Sequence, residues 1–172
     1  KKYVSGTGSP MYYAARIAKE KYPDAKIVFV GPCVAKRKEA QRDEAVDFVM
    51  TFEEVSSIFD AFEVNLEIVQ PYAMEFSSVR EAHGFAQAGG VMGAVKAFLK
   101  MEADKINAIQ VSDLNKKNIG TLRAYAKSGK APGQFIEVMA CEGGCITGPS
   151  THSGSNGKRQ LVQELAKQEK TY

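Results

Sequence analysis

Apolar and polar positions alternate along the chain in blocks that predict strands and helices in turn. Longer segments with helical spacing of apolar residues predict helices over 11–20, 51–61, 91–101, 113–129 and 158–167. Short apolar runs rich in branched and aromatic side chains are typical of strands, the first of them buried. These runs cover Lys26–Val30, Val46–Met50, Ile106–Val111 and Gln134–Ala140, whereas Glu63–Val69 fits either a strand or a loop.

Local signals support this alternation and set the fold class. Ser9 and Pro10 are typical of an N-cap and a first helical position, and Thr51 with Glu54 has the pattern of a capping box. Alternating strands and helices predict βαβ units, and therefore an α/β fold with parallel twisted sheets and flanking helices. The polar stretch Ser150–Gly157 is a candidate linker, for which a surface loop is the simpler interpretation.

Length and charge limit the number of domains and exclude some classes of function. The chain has 172 residues, enough for one domain or two small lobes. Its 23 Lys and Arg against 20 Asp and Glu give a net charge of +3, which excludes a strongly basic nucleic-acid binder. No apolar run approaches the length of a membrane span, and no signal peptide is visible. Because the chain opens on Lys1 and not on Met, we expect a fragment of a longer protein. Because no export signal is visible, we expect it to be cytoplasmic.

Three cysteines carry the candidate chemistry. Cys33 follows the first predicted strand, Cys141 follows the last, and Cys145 lies four residues further on. Ligands of open α/β sheets bind outside the carboxyl ends of strands, so we expect these thiols to converge. Gly143 and Gly144 allow close backbone approach and positive φ, and they expose N–H groups that can donate to inorganic sulfide. Soft thiolates select zinc, Cu(I) or iron–sulfur clusters.

Plainer interpretations remain open for most of these residues. Cys33 fits equally well as a small buried apolar residue, and Lys36 as a solvated lysine in a basic run. Met139 fits a core position. His83 and His152 could complete a zinc site, although each also fits an ordinary surface or core position. A cubane cluster takes four thiolates and this chain has three cysteines, so the fourth ligand is expected on a segment outside it.

Two longer motifs give the sequence a family resemblance. The segment from Gly31 to Glu39 resembles the signature PCxxKxxE of the iron-only hydrogenase large subunit. The segment from Glu137 to Gly148 resembles the family signature ExMxCxGGCxxG. Ser5–Pro10 is similar to a serine-rich family segment that ends in Ser-Pro, and Gly89–Met92 is similar to its TGGVM segment. The order and separation of the four segments also fit the family.

The resemblance implies an H-cluster held in a two-lobed α/β domain, of which residues 1–172 would be a part. An H-cluster is a [4Fe-4S] cubane joined through a cysteine sulfur to a diiron unit that carries CO and cyanide. Cys33 and Cys141 would bind the cubane alone, and Cys145 would bridge it to the diiron unit. Lys36 would donate to a cyanide and Met139 would pack beside the diiron unit. The remaining implied residues are Ser9 and Pro10, which line the cluster pocket, Gly144 in the cysteine loop, Ser5 on a proton path, and Glu39, which supports its loop.

Departures from the family pattern leave the function open. The signature TSCCPxW, which supplies the fourth cubane ligand and a proton-relay cysteine, is absent, and Gly31 and Met11 stand where catalytic members usually have Met and Gln. We expect either a fragment of an anaerobic hydrogenase that interconverts 2H⁺ + 2e⁻ and H₂, or a hydrogen sensor coupled to a regulatory domain. A third possibility is a [4Fe-4S] protein that never receives a diiron unit. A hydrogenase would take electrons from ferredoxin or another carrier through cluster domains that this chain lacks. We expect the fragment alone to be inactive, and either metal-free or carrying an adventitious group, with no nucleic-acid or membrane partner.

Overall fold

The helices and strands of the chain belong to two units, each built around its own pair of parallel strands. A computed structural model gives the fold and describes residues 2–70, 72 and 78–171. The first unit comprises the described residues up to Gln70 together with Pro149–His152. The second comprises Tyr72, residues 78–148 and residues 153–171. No helix of the described residues is long and apolar enough to cross a membrane.

The first unit pairs two short parallel strands with three helices. Its elements are α1 (Pro10–Lys21), β1 (Val28–Gly31), α2 (Ala35–Ala40), β2 (Phe48–Thr51) and α3 (Phe52–Ala61). The register of the sheet runs from Val28 opposite Phe48 to Gly31 opposite Thr51. Its core is formed by Met11, Ala15 and Val46, and the partly buried side chains packed against them are Ile27, Phe29, Ala40, Ala45 and Val49.

The predicted helix starts of this unit are confirmed. Ser9 caps α1 by accepting a hydrogen bond from Tyr12 N at 3.3 Å, and Pro10 is the first helical residue. Thr51 and Glu54 form the predicted capping box of α3, with each side chain accepting the other residue's backbone N–H. These caps satisfy N–H groups that the first helical turn leaves without partners.

The second unit places a βαβ unit beside several shorter helical segments. Its regular elements are α4 (Arg80–His83), α5 (Gly90–Leu99), β3 (Ala108–Ser112), α6 (Lys116–Ser128), β4 (Phe135–Met139) and α7 (Gly154–Ala166). Short 3₁₀ turns cover Gly84–Ala86, Lys100–Lys105 and Cys145–Thr147. Strands β3 and β4 are parallel, in a register that ends with Ser112 opposite Met139. Helix α6 ends near Gly129, as predicted, and Gly129 follows its last residue in the left-handed conformation.

The α/β class with parallel sheets and flanking helices is confirmed, but several details differ from the predictions. Strand β1 is not fully buried, because Val28 and Val30 are 45% and 41% exposed on one face of a two-stranded sheet. Residues 63–69 contain turns and no strand. The candidate linker Ser150–Gly157 is a loop only in its first part, where Ser150 is buried, because α7 begins at Gly154.

Candidate metal centre

Cys33 lies two residues beyond the end of β1, and the sequence predicted this position after a strand. Its thiol accepts a hydrogen bond from Ala35 N at 3.4 Å, and its carbonyl accepts Lys36 N at 3.3 Å as α2 begins. The preceding carbonyl, of Pro32, accepts Ser150 N at 3.1 Å. Cys33 is half-buried. The hydrogen bond to its sulfur comes from the backbone of its own segment.

Glu39 connects two side chains that the resemblance assigned to a cofactor pocket. Its carboxylate accepts the hydroxyl of Ser9 and, at 2.6 Å, the ammonium of Lys36. Burial opposes the charged form of Glu39, but the hydrogen bonds from Lys36 and Ser9 outweigh it and lower the pKa of this carboxyl. The charge of Lys36 is therefore balanced within the first unit. Its donation to a cyanide ligand stays a prediction.

Cys141 and Cys145 lie on a tightly turned loop beyond β4. Gly143 and Gly144 have φ of +80° and +100°, a region that favours glycine. Gly144 N donates to the carbonyl of Cys141 at 3.1 Å, and Cys145 then opens a short 3₁₀ turn. Cys141 is half-buried and Cys145 is exposed. The loop thus carries both thiols on a backbone that glycine alone accommodates readily.

A serine from the neighbouring strand fastens this loop. The hydroxyl of Ser112 donates to the carbonyl of Cys141 at 3.2 Å and accepts Gly143 N at 2.9 Å. Both loop glycines therefore use their N–H groups inside the protein, Gly143 to Ser112 and Gly144 to Cys141. The expectation that these N–H groups are available to inorganic sulfide is wrong for this structure, because the turn itself needs them.

The loop also packs closely against the chain just before α5. Ala88 N donates to the carbonyl of Gly143 at 2.9 Å. A Cβ on Gly144 would lie 2.4 Å from Ala88 N and 2.7 Å from the carbonyl oxygen of Ala86. Gly144 is therefore required by packing against protein backbone as well as by its φ. Its contact with a cofactor stays a prediction.

Glu137 holds the start of α5 against β4. Its carboxylate accepts Gly89 N at 2.6 Å and Met92 N at 2.7 Å, and the residue is only 5% exposed. The carboxylate thereby accepts hydrogen bonds from two N–H groups at the amino end of α5, where the helix itself supplies no acceptor. The acidic residue of the second signature thus ties the Gly89–Met92 segment to the strand that leads into the cysteines.

The other predicted site residues occupy both units. Pro10 is exposed at the start of α1, and Ser5 is exposed and accepts Thr7 N at 3.1 Å. Met139 ends β4 and is half-buried. His83 and His152 are both exposed. Within either unit, the described residues contain no trio of His, Cys, Asp or Glu side chains placed to hold a metal ion, so no local zinc site supports that alternative.

Two residues of the second unit escaped sequence reasoning. A need for partners at Glu137 could have been expected, because an acidic residue inside a predicted strand must find partners wherever that strand is buried. Ser112 carried no such signal, since a strand-terminal serine is common. Its importance comes from its register opposite Met139, which the order of residues alone does not reveal.

The comparison with known proteins gives a family, several longer relatives and a fold. Residues 1–149 match the family described as iron only hydrogenase large subunit, C-terminal domain. A Danio rerio protein named cytosolic Fe-S cluster assembly factor narfl is 27% identical, over 97% of this chain and 54% of its own length. The Danio rerio nuclear prelamin A recognition factor is 27% identical, over 80% of this chain and 39% of its own length. Cytosolic iron-sulfur assembly component 3 of Rattus norvegicus is 24% identical, over 95% and 45% respectively.

A solved structure shares the fold. It is described as showing stepwise [FeFe]-hydrogenase H-cluster assembly in HydA(deltaEFG), and it superposes with a TM-score of 0.65 at 20% identity. The superposition covers 99% of this chain and 62% of that chain. This chain spans about half, or less, of the length of the curated relatives above. By the match over residues 1–149, the chain belongs to the iron-only hydrogenase large subunit family, in its C-terminal domain.

Proposed function

We propose that this protein is a hydrogenase-like iron–sulfur protein that works in cluster assembly or transfer, not in hydrogen turnover. In this proposal Cys33, Cys141 and Cys145 are ligands of a [4Fe-4S] cluster and no diiron unit is present. The observation that carries it is the loop at the end of β4, which places two cysteines on a glycine turn closed by hydrogen bonds. Further support comes from relatives that are themselves named Fe-S cluster assembly factors.

The residues of the loop fit a thiolate-held cluster. Cysteine thiolates are the ligands that iron–sulfur clusters take, and Cys145 reaches the surface. The turn is closed by hydrogen bonds that the Ser112 hydroxyl and Gly144 N donate to the carbonyl of Cys141. Because the chain has three cysteines and a cubane takes four ligands, one ligand must be something other than these cysteines.

The roles of the chain's own residues follow from this arrangement. A bound cluster would supply one-electron chemistry or transferable iron and sulfide. Ser112 and the glycines hold the backbone of the cysteine loop. Glu39 keeps Lys36 paired in the first unit, where the ammonium is only partly exposed.

A structural detail beside Cys33 favours this proposal over catalysis. A Cβ on Gly31 would lie 2.5 Å from Cε1 of Phe29, so a larger residue fits at this position only if the phenyl ring moves. Position 31 is where catalytic members of the family usually have methionine. The residue at position 31 therefore departs from the pattern of catalytic members.

The proposal places the protein in the cytosol, as the names of the relatives suggest. Its partners would be iron–sulfur proteins that give or receive a cluster, or an electron carrier that keeps the cluster reduced. A hydrogen sensor with a regulatory domain is the competing regulatory role, and it requires the same cysteines.

The first experiment tests the cluster. The protein is reconstituted anaerobically with ferrous iron and sulfide, and bound iron, bound sulfide and the electron paramagnetic resonance of the reduced cluster are measured. We expect a [4Fe-4S] signal that is lost or strongly reduced in Cys33→Ser, Cys141→Ser and Cys145→Ser. His83→Ala and His152→Ala are the matched controls and should keep it. Cysteine variants that bind as much cluster as the unchanged protein would refute the ligand set.

A second measurement separates this proposal from hydrogenase catalysis. The protein is exposed to a maturation system that supplies the diiron unit, and its infrared spectrum is searched for bound CO and cyanide. We expect no such bands. Strong bands that shift or weaken in Lys36→Ala would instead support the H-cluster interpretation, since a charge-assisted donor to cyanide would have been lost.

A further inference from the structure

Strand β3 ends at the point where the neighbouring strand turns into the cysteine loop. The last register pair joins Ser112 to Met139, and Cys141 and Gly143 lie beyond it. At that point the ladder can no longer satisfy the carbonyl of Cys141 or the N–H of Gly143. The hydroxyl of Ser112 bonds to both, at 3.2 Å and 2.9 Å.

A hydroxyl suits this place because it donates and accepts at the same time. Its two partners are two residues apart on the loop, so the single oxygen spans the first half of the turn. The backbone of Ser112 is fixed as well, since Asn118 Nδ2 donates to its carbonyl at 3.1 Å. Beside it, Leu114 N donates to the carbonyl of Ala140 at 3.1 Å. The backbone around Ser112 is therefore hydrogen-bonded both to α6 and to the residue just before Cys141.

We propose that Ser112 is a positioning residue that holds Cys141 in a ligand-ready arrangement before any cluster arrives. This inference rests on the proposed function for its meaning, but its effect on the apoprotein can be measured without a cluster. Ser112 does not act as a ligand in this proposal. It acts through the backbone on either side of Cys141, as outer partners of metal ligands commonly do.

The test compares three variants. Ser112→Ala removes the hydroxyl, and Ser112→Thr keeps it. Ser128→Ala is the matched control, because the Ser128 hydroxyl also bonds to backbone carbonyls but does so at the end of α6. Cys33 serves as an internal reference, because its own segment holds it in the first unit.

The first readout is the alkylation rate of each thiol in the apoprotein, followed by mass spectrometry with iodoacetamide. In Ser112→Ala we expect Cys141 to react about fivefold faster, because two hydrogen bonds that close the turn are lost. The rate of Cys33 should not change. Ser112→Thr and Ser128→Ala should match the unchanged protein. Because Ser112→Thr keeps the hydroxyl, a normal rate in that variant shows that the faster reaction of Cys141 in Ser112→Ala is due to the lost hydroxyl and not to misfolding.

The second readout is the rate at which a chelator removes iron from the reconstituted protein. We expect removal about tenfold faster in Ser112→Ala, with an altered paramagnetic resonance line shape, and recovery of both in Ser112→Thr. Unchanged alkylation and unchanged iron release in Ser112→Ala would overturn the inference while leaving the proposed function intact. If the unchanged protein bound no cluster, the proposed function would fail and the alkylation rates alone would decide the role of Ser112.

Discussion

The two units present their cysteines in the same topological position but hold them in different ways. Cys33 follows β1 and Cys141 follows β4, each strand being one of a parallel pair. The thiol of Cys33 is supported by the N–H of Ala35, two residues away. The Cys141 loop is supported by Ser112 and Ala88, which are distant in the sequence. The first arrangement is largely local, and the second depends on the fold of the whole unit.

This difference shows where substitutions should matter. A segment that is closed by its own backbone tolerates changes in its neighbours, because few external groups define it. A loop that is closed by contacts from another strand and from the start of a helix loses its geometry when either contact is lost. The second unit should therefore be the more sensitive of the two to changes near its cysteines.

The largest effect is expected from a glycine substitution in the second unit, compared with a matched substitution in the first. Gly144→Ala places a methyl group against backbone, 2.4 Å from Ala88 N, at φ of +100°. We expect it to destabilise the second unit by about 3 kcal/mol or more. Gly31→Ala is the matched change beside Cys33. There the methyl group meets the far edge of the half-buried Phe29 ring, which can move, so the cost should be about 1 kcal/mol.

Hydrogen exchange followed by mass spectrometry measures both changes in the apoprotein. Gly144→Ala should increase exchange in β4 and in the residues that follow it, and Gly31→Ala should increase exchange in β1 only slightly. Equal effects of the two substitutions would contradict the idea that the second loop is the more tightly constrained.

The regular elements of both units could be predicted from the sequence because their signals are local. Ser9 with Pro10 and Thr51 with Glu54 mark helix starts through contacts within three residues, and both pairs behave as expected. The division into two separate two-stranded sheets could not be predicted. Strand pairing joins segments that are distant in the sequence, and an apolar run such as Lys26–Val30 does not indicate with which other strand it will pair.

The second comparison is between the two signature glutamates. Glu137 is almost fully buried and binds two backbone N–H groups, whereas Glu39 is partly exposed and binds the side chains of Ser9 and Lys36. In Glu137→Gln an amide NH₂ faces an N–H that needs an acceptor, which costs about 1–3 kcal/mol. Glu39→Gln breaks a partly solvated ion pair and should cost about 1 kcal/mol or less.

Urea unfolding of the two variants, followed by exchange protection in α5 and α2, measures this difference. Glu137→Gln should expose the start of α5, and Glu39→Gln should leave that helix unchanged. The idea fails if Glu39→Gln proves to be the more destabilising substitution.

The candidate site was only partly accessible from sequence, for a similar physical reason. The glycine turn between Cys141 and Cys145 and its positive φ values were predictable from residue type. The hydrogen bonds of Ser112 and Glu137 were not, because they depend on strand register and on where α5 begins. The sequence also suggested sulfide donors in Gly143 and Gly144, whose N–H groups the turn itself uses.

The smallest expected effect concerns acid, and it should appear in the first unit. The N–H of Ile27 and the ammonium groups of Lys26 and Lys19 lower the pKa of Asp47 to about 2. Hydrogen bonds from their partners also lower the pKa of other carboxyls in this unit, namely those of Glu39, Asp43 and Glu54. A lowered pKa in the folded state contributes stability above the unfolded value, about 3.9 for aspartate, and this contribution is lost as the pH falls towards about 2.

Asp47→Asn tests this contribution, because asparagine cannot titrate in that range. The variant should be less stable than the unchanged protein at pH 6, since an uncharged amide binds Lys26 and Lys19 less well. Between pH 4 and pH 2 its loss of stability should be shallower, because one proton uptake on unfolding has been removed. Exchange protection in β1 and β2, corrected for the intrinsic pH dependence of exchange, measures both effects, with β3 and β4 as the reference. Parallel pH profiles for the two proteins would show that Asp47 does not contribute to the acid sensitivity of the first unit.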